Sequence, residues 1–161
     1  MTAGWLPPEQ YIEVIARASS YACLYFTDTA GRPFQLRSHD NREVWQWPGG
    51  NLERGETPFE GARRECLEET GIDFQGPRRL LGVHFMLESA SWPCNHIGFI
   101  FDGGLLTDAQ LAGVRLAEEH TEWRVRTVDE WRREMRAVEF NRLAAIDAAR
   151  AAGAVAYLER A

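Results

Sequence analysis

Residues 48–72 read PGGNLERGETPFEGARRECLEETGI, a stretch that places two glycines before a dense run of charged side chains. Thr57 and Glu60 have the spacing of a capping box, and Pro58 stands where a helix does not need its first N–H group. Gly71 can adopt the left-handed conformation that commonly ends a helix. The stretch therefore predicts a loop and then a helix that runs from Pro58 to about the residue before Gly71.

The predicted helix has one apolar face and one acidic face. The apolar residues recur at spacings of three and four and are expected to enter the core: Phe59, Ala62 and Cys66. On the other side, the carboxylates of Glu65, Glu68 and Glu69 converge on one exposed patch. No lysine or arginine follows any of the three at i+4, so no following cation offsets their repulsion. Because Mg²⁺ and Mn²⁺ prefer clustered carboxylate oxygens, the patch predicts a metal site.

Strands are predicted on both sides of this helix. The segments rich in β-branched and aromatic residues are 21–28, 32–38, 44–47, 79–87, 95–104 and 122–131. Thr29, Ala30 and Gly31 join the first two segments, and the glycine favours a tight turn. We therefore expect these two strands to pair as a hairpin.

Helices are predicted near both ends of the chain. Residues 7–19 place prolines before an apolar pattern, which favours a short helix. Thr127 is a suitable N-cap for a helix over 127–137, and another helix is expected from Phe140 to Ala152, ended by Gly153. Strands around a central helix, with helices closing the chain, predict a mixed α/β sandwich.

The composition limits the classes of protein that this chain can represent. With 161 residues, 45% of them hydrophobic, we expect a single domain over 1–161. The net charge of -6 argues against binding to a nucleic-acid backbone, which needs a basic surface. The three cysteines show neither a CxxC pair nor zinc-site spacing. Because there is also no signal-peptide pattern and no bilayer-spanning segment, we expect a cytoplasmic protein that does not enter the membrane.

The charged stretch also resembles a known sequence signature. The signature is Gly-x5-Glu-x7-Arg-Glu-U-x-Glu-Glu-x-Gly-U, where U is an aliphatic residue, and it belongs to the Nudix hydrolases. The residues that match its fixed positions are Gly50, Glu56, Arg64, Glu65, Glu68, Glu69 and Gly71. Cys66 occupies the first U position, where it is expected to pack as a small hydrophobic residue. Residues 118–131, EEHTEWRVRTVDEW, also look like the family.

The resemblance implies a fold, a reaction and a cofactor. The fold is a Nudix-type α/β/α sandwich with a mixed sheet, here with additional C-terminal helices. The reaction is the metal-dependent hydrolysis of the diphosphate linkage in a nucleoside diphosphate joined to another group, so the expected partner is a small nucleotide. The cofactor is Mg²⁺, with Mn²⁺ as an alternative. By family similarity the metal ligands are Glu65, Glu68, Glu69 and the backbone carbonyl of Gly49.

The same resemblance suggests roles for other charged residues. Arg64 and Glu56 are expected to pair and to fix the loop against the helix, so that loss of Arg64 abolishes catalysis. The general base is a glutamate of the motif, Glu68 or Glu69, or an acid of the later segment, where Glu119 or Glu122 is expected to serve as the base or as an additional metal ligand. His120 lies in that segment too, but a lone loop histidine is usually a bystander at the surface.

The substrate remains open at this stage. Residues 89–95, SASWPCN, share only three positions with the array of NADH-cleaving members, and the marks of ADP-ribose and dinucleoside polyphosphate hydrolases are absent. Nucleoside triphosphates, nucleotide sugars or an uncharacterised compound remain. Aromatic residues that could line a cavity are Trp45, Trp47, Phe34, Phe85 and Trp92, although strand tryptophans more often belong to the core. Arg37 and Arg42 are either phosphate ligands or solvated surface residues.

Two other functions and one assembly state also stay open. A Nudix fold can serve as a nucleotide-binding sensor without turnover, although sensors commonly lose motif glutamates that this chain keeps. An isomerase acting on prenyl diphosphates ranks lower, because such members depart from the full motif. The last segment, 154–161, is apolar enough to form a strand or to dock against a partner, so a homodimer is possible.

Overall fold

Two sheets and five helices form the part of the chain described here, residues 5–90 and 92–160 of a computed structural model. The helices are α1 (Pro8–Val14), α2 (Pro58–Thr70), α3 (Asp108–Ala112), α4 (Val128–Glu134) and α5 (Ala137–Ala152). The strands are β1 (Ala18–Asp28), β2 (Phe34–Ser38), β3 (Trp45–Gln46), β4 (Gly49–Asn51), β5 (Leu80–Met86), β6 (Asn95–Leu106), β7 (His120–Val125) and β8 (Ala156–Arg160). None of the helices in these ranges is long and apolar enough to cross a membrane.

The larger sheet has five strands and mixed directions. Its order is β4-β1-β6-β5-β8, and the smaller sheet has the order β3-β2-β7. In the larger sheet β1 runs parallel to β6 and β5 runs parallel to β8, whereas β4 is antiparallel to β1 and β5 is antiparallel to β6. The predicted mixed sheet is confirmed.

Strand β1 explains why helices lie on both faces of the larger sheet. Because successive side chains of a strand point to opposite faces, its buried residues divide between two cores. Ala22, Leu24 and Phe26 join a cluster that includes Ala62 and Cys66 of α2. The alternate residues join a second cluster with α4 and α5: Cys23 and Tyr25 with Trp131, Leu143 and Ile146. The α/β/α sandwich is therefore confirmed.

Helix α2 begins and ends where the sequence predicts. Thr57 donates its backbone N–H and its hydroxyl to the carboxylate of Glu60, at 2.9 and 2.7 Å. Gly71 ends the helix with a φ of 74°, which a residue with a side chain rarely adopts. Ala62 and Cys66 are fully buried on the inner face. The loop and helix of the charged stretch thus form from local signals.

The predicted hairpin of β1 and β2 is wrong. The two strands share one isolated antiparallel bridge, Thr27 to Pro33, and then enter different sheets. Strand β2 pairs instead with β3 and with β7, whereas β1 pairs with β6 along its length and with β4 at Tyr21–Cys23. The predicted turn itself is present, with a φ of 76° at Gly31.

The remaining elements agree with the sequence in most places. The other predicted strands appear as β3, β5, β6 and β7, although the strand predicted over 122–131 ends at Val125 and its last residues belong to α4. The C-terminal segment forms β8 at the edge of the larger sheet. Helix α5 begins at Ala137, three residues before the predicted start at Phe140. Two short elements were not predicted: β4, inside the charged stretch, and α3, which Thr107 and Gln110 start with a capping box.

Candidate functional site

The glycines of β4 allow α2 to approach the edge of the larger sheet. A side chain at Gly50 would place its Cβ 2.5 to 2.8 Å from the carboxylate atoms of Glu65. A Cβ at Gly49 would lie 2.3 Å from the carbonyl oxygen of Ala22 on β1. A side chain at Gly49 would overlap backbone atoms, and one at Gly50 would displace the Glu65 carboxylate, so these two glycines let the acidic face of α2 lie directly against β4.

Glu69 is the most enclosed carboxylate of the acidic face. Its residue is 4% exposed, and its Oε2 accepts the backbone N–H of Gly49 at 2.8 Å. Its Oε1 accepts Nε2–H of His120 at 2.7 Å. The prediction that all three glutamates lie on an exposed patch is therefore wrong for Glu69. The helix turns this residue towards β4 and the start of β7, while Glu68 remains 58% exposed.

His120 belongs to the site, although no sequence pattern indicated this role. Its side chain is fully buried at the start of β7. Burial lowers its pKa, but the hydrogen bond and negative charge of Glu69 outweigh burial and raise that pKa above its ordinary value. The interpretation of His120 as a surface bystander is wrong. Its contact with Glu69 spans 51 positions in the sequence, and no local pattern signals it.

Glu119 joins the same cluster from the exposed side. One ligand atom from each of Glu69, Glu119 and His120 lies within 4.8 Å of the other two. A cavity of about 530 Å³ opens beside them and is lined by His39, Asp40, Glu118 and Glu119. The cluster thus has both a buried carboxylate and a carboxylate that solvent and a ligand can reach.

Burial and neighbouring charges shift the pKa of the Glu65 carboxylate in opposite directions. Burial raises its pKa, the guanidinium of Arg64 lowers it, and the charges of Glu69 and Glu68 raise it further, with a net upward shift. A raised carboxylate pKa means that the negative form lacks sufficient compensation from the protein. Among the described residues, the ligand atoms that lie close together belong to Glu69, Glu119 and His120, whereas Glu65 and Glu68 of the predicted ligand set lie outside this group. The carboxylate oxygens of Glu69 and Glu119 suit a hard metal ion.

Arg64 ties the loop of the charged stretch to α2. Its guanidinium contacts Glu56 at 2.7 Å, Glu65 at 2.9 Å and Glu68 at 3.1 Å, and it donates to the carbonyl of Asn51 at 3.1 Å. The predicted pair with Glu56 is present. Arg64 also partly neutralises Glu65 and Glu68. No basic residue follows these glutamates at i+4, but Arg64 precedes them on the helix.

Glu122 lies apart from this cluster. It faces Arg37 of β2 at 2.5 Å and Arg124 of its own strand at 2.9 Å. Both guanidinium groups also stack over Trp45, at 4.7 and 5.3 Å from the ring centroid. Arg37 is therefore neither a free phosphate ligand nor a solvated residue. Glu119 and Glu122 were the two later acids predicted as bases. The fold brings Glu119 close to Glu69, whereas the carboxylate of Glu122 forms ion pairs with Arg37 and Arg124.

The predicted aromatic residues do not share one cavity. Trp45 and Trp47 are buried in the core beside α4 and α5, whereas Phe34 is buried in the core beside α2. Trp92 lies at another place, where its Nε1–H donates to the hydroxyl of Ser19 at 2.8 Å. The expectation that strand tryptophans belong to the core is confirmed for Trp45 and Trp47.

Comparison with known sequences connects this arrangement to one family. The NUDIX domain matches residues 16–145, which include α2, β4 and the start of β7. An RNA pyrophosphohydrolase of Bartonella bacilliformis is 37% identical over 67 residues, which cover 40% of this chain and 35% of that protein. The matched stretch is thus about a third of that relative's length.

Solved structures agree in fold. The MutT protein from Methanosarcina mazei Go1 has a TM-score of 0.66 and 21% identity, covering 87% of this chain and 98% of its own. A UDP-X diphosphatase has a TM-score of 0.70 and 19% identity, covering 95% of this chain and 75% of its own. At these identities the likeness concerns the arrangement of the backbone.

Proposed function

The chain belongs to the NUDIX family, and from this premise we propose that it is a metal-dependent hydrolase that cleaves the diphosphate linkage of a nucleotide derivative. The observation that carries the proposal is the buried carboxylate of Glu69, which Gly49 and His120 hold against β4 in one cluster with Glu119. Such a cluster of oxygen donors on a glycine backbone suits a cation and an anionic phosphate chain.

The residues that would hold Mg²⁺, or Mn²⁺ in its place, are Glu65, Glu68, Glu69 and the carbonyl of Gly49. When bound, the ion neutralises phosphate oxygens and lowers the pKa of a water molecule. Gly49 and His120 orient Glu69 by donating to its two oxygens. Arg64 holds Glu65 and Glu68 on one side of α2 while it fixes the preceding loop.

We propose Glu119 as the general base. Its residue is exposed beside the cavity, and its carboxylate lies in the cluster with Glu69. In the reaction the oxygen of water bonds to one phosphorus and the bridging P–O bond breaks. The proton of the water passes to the Glu119 carboxylate, and the leaving phosphate oxygen keeps the electron pair. Glu68 and Glu122 are weaker candidates, because Arg64 contacts the first and two arginines contact the second.

Two substrate classes fit the proposed site. The relatives named RNA pyrophosphohydrolase suggest the 5′-triphosphate end of RNA as one candidate. The net charge of -6 favours a small nucleotide, since a long polyanion needs a basic surface. Both classes place a diphosphate linkage at the same carboxylates, so both belong in one substrate panel.

The experiment measures phosphate and nucleotide release from nucleoside triphosphates, nucleotide sugars, ADP-ribose, NADH, dinucleoside polyphosphates and a 5′-triphosphate RNA oligomer. Each is tested with Mg²⁺, with Mn²⁺ and with a chelator. We expect turnover that requires the metal and that Glu69→Gln reduces by about 100-fold or more. Glu9→Gln, on an exposed helix far from α2 in sequence, is the control and should hydrolyse the substrate at the wild-type rate.

Two results would redirect the proposal. Wild-type turnover by Glu69→Gln would contradict the metal assignment. A complete absence of turnover, together with tight nucleotide binding, would favour the nucleotide sensor instead. The cytoplasmic location and the lack of nucleic-acid backbone binding remain predictions from composition.

A further inference from the structure

Strand β8 leaves one edge of the larger sheet open. It pairs with β5 on its inner side, and within the described residues no strand pairs with its outer side. Its register with β5 runs from Ala156 to Arg160 without a shift, so no bulge twists the edge away. Residues 154–161 also contain neither proline nor lysine, two residues that commonly protect sheet edges. The backbone groups of this edge are thus available to another strand.

The side chains of β8 divide between the two faces of the sheet. Ala156 and Leu158 pack against the core beside α5. Tyr157 lies on the opposite face, where it pairs with Val83 of β5, which in turn pairs with Phe99 of β6. Phe99 and Val83 are partly buried, whereas Tyr157 is 64% exposed. This row of apolar side chains therefore starts at the core beside α2 and ends with an aromatic ring in contact with solvent.

Exposed apolar side chains also border β8 outside the strand itself. Val155, just before the strand, is 57% exposed, and Val138 of α5 is 47% exposed. Val138 and Leu158 line a cleft of about 220 Å³ between α5 and the sheet. Single exposed apolar residues are common on protein surfaces, but these border one open sheet edge. A strand added at this edge would lie next to them and reduce their contact with water.

The sequence of β8 matches a second copy of the same strand. When two identical strands of five residues pair antiparallel about a two-fold axis, the middle residue, Leu158, lies opposite itself. Tyr157 of each chain then lies opposite Glu159 of the other. Tyr157 donates its hydroxyl to Glu159 of its own chain at 2.7 Å, and the second carboxylate oxygen remains an acceptor for the other copy. In this register the two glutamates do not face each other directly, so like charges are not opposed.

We propose that a second copy of this chain binds along β8 in the antiparallel direction, so that the two five-stranded sheets continue into one sheet. Main-chain hydrogen bonds between the strands supply affinity, and the contacts of Tyr157 with Glu159 fix the register. The tyrosine rings occupy diagonal positions about 7–8 Å apart, which is within reach of aromatic side chains. Because the paired segments are short, the interface is small, and we expect a dissociation constant in the range of about 1–100 μM.

The first test is sedimentation velocity of the wild type over a concentration range of about 1–200 μM, which brackets the expected dissociation constant. We expect a concentration-dependent change from monomer to dimer. Tyr157→Asp should raise the dissociation constant by about tenfold or more, because it places a carboxylate opposite Glu159 of the second copy. Since Tyr157 is exposed, the variant should keep the wild-type circular dichroism spectrum and melting temperature.

Leu105→Asp is the matched control, because Leu105 is 58% exposed and lies on β6, away from the β8 edge. It introduces the same charge and should dimerise like the wild type. A wild type that stays monomeric over the whole range overturns the proposal. Dimerisation of Tyr157→Asp with the wild-type constant overturns it as well, since the chains would then associate through another surface.

The second test is disulfide cross-linking, which reads the register directly and does not require Tyr157→Asp to fold. One chain carries Tyr157→Cys and another carries Glu159→Cys, both with Cys94→Ser, because Cys94 is the free cysteine that is not buried. Directly opposite residues have Cα atoms about 4.5–5.5 Å apart, which suits a disulfide. We expect rapid cross-linking in the mixture under a mild oxidant, and much slower cross-linking of either chain alone.

A mixture of Glu159→Cys with Leu105→Cys, in the same background, is the control and should not cross-link. Equal rates for the mixture and for each single chain would overturn the antiparallel register centred on Leu158. The absence of any cross-link in a mixture that sediments as a dimer would overturn the pairing along β8. Neither test requires turnover, so the inference stands or fails independently of the proposed function.

Discussion

Glu69 depends on donors that come from two distant parts of the chain. Gly49 holds one carboxylate oxygen and His120 holds the other. A residue that orients a metal ligand typically contributes about 10–100-fold to metal affinity or activity. The proposed metal site is therefore expected to depend on His120 although the sequence signature does not include this residue.

We predict that His120→Ala lowers activity by about 10–100-fold and raises the Mg²⁺ concentration needed for half-maximal activity, because Oε1 of Glu69 loses its donor. His120→Gln, which keeps a donor group, should lose less. The measurement is the activity as a function of Mg²⁺ concentration for the three proteins. An activation curve for His120→Ala that coincides with the wild type would show that His120 only fills space.

The absence of a side chain at Gly50 leaves room for the Glu65 carboxylate against β4. In Gly50→Ala the new Cβ would lie within 2.8 Å of the Glu65 carboxylate, so this side chain must move away from β4. Displacement of a reacting-site group by about 1 Å can cost about 100-fold in rate, and we expect a loss of this order. The assay is kcat/KM together with the melting temperature.

Gly113→Ala is the control for this substitution. Gly113 follows α3 with a φ of -86°, and a Cβ there would meet carbonyl oxygens at 3.4 Å, close to ordinary contact. Both variants should remain folded, and only Gly50→Ala should lose activity. Wild-type activity of Gly50→Ala would mean that Glu65 need not lie against the strand.

At the scale of elements, the turn between β1 and β2 is held by a buried carboxylate. Asp28 accepts the backbone N–H groups of Ala30 and Arg32 at 3.0 and 2.8 Å, and it pairs with the Arg32 guanidinium at 2.6 Å. Burial raises its pKa, but the bonds from Arg32 and Ala30 outweigh burial and leave the pKa below its ordinary value of 3.8. The turn is thus strongest when Asp28 is ionised.

The lowered pKa of Asp28 makes the stability of the protein depend on pH. Because the folded-state pKa of Asp28 is lowered, its contribution is complete above the unfolded value of 3.8 and is lost as the pH falls through the folded value. We predict that Asp28→Asn lowers the free energy of unfolding by about 1–3 kcal/mol at pH 7. The difference from the wild type should shrink in titrations carried out below pH 3.8.

Asp40→Asn provides the comparison, since the Asp40 side chain is fully exposed. Denaturant unfolding of the three proteins across this pH range gives the result. A difference between wild type and Asp28→Asn that does not change with pH would indicate that the carboxylate acts through its shape alone.

Elements differ in how far the sequence could predict them. The limits of α2 were predictable because Thr57, Glu60 and Gly71 act within a few residues of each other. The separation of β1 and β2 into two sheets was not, because it depends on the pairing of β2 with β7, far along the chain. The same reason applies to the site: the signature located Glu65, Glu68 and Glu69, whereas the bond from His120 requires the folded chain.

At the scale of the molecule, we propose that the chain is a single domain. Strand β1 contributes to both hydrophobic cores, so neither core can form without it. We predict one cooperative transition in which tryptophan fluorescence and far-ultraviolet circular dichroism change together. Two separated transitions would show that the cores unfold independently.

The assembly state remains a prediction that size-exclusion chromatography with light scattering can decide. Strand β8 confirms that the C-terminal segment forms a strand, and it lies at the edge of the larger sheet with Tyr157 64% exposed. An edge strand with exposed apolar surface can pair with another chain, which is the physical basis for a possible homodimer.

The parallel pairing of β1 with β6 has a consequence for synthesis on the ribosome. Ser19 and His96, which lie side by side in the sheet, are 77 positions apart in the chain. Such non-local pairing slows folding, and it cannot begin until β6 has left the exit tunnel. Until then β1, apolar on two faces, has no partner strand of its own sheet beyond the short β4. The nascent chain is therefore expected to need protection from aggregation, by a chaperone that binds extended apolar segments.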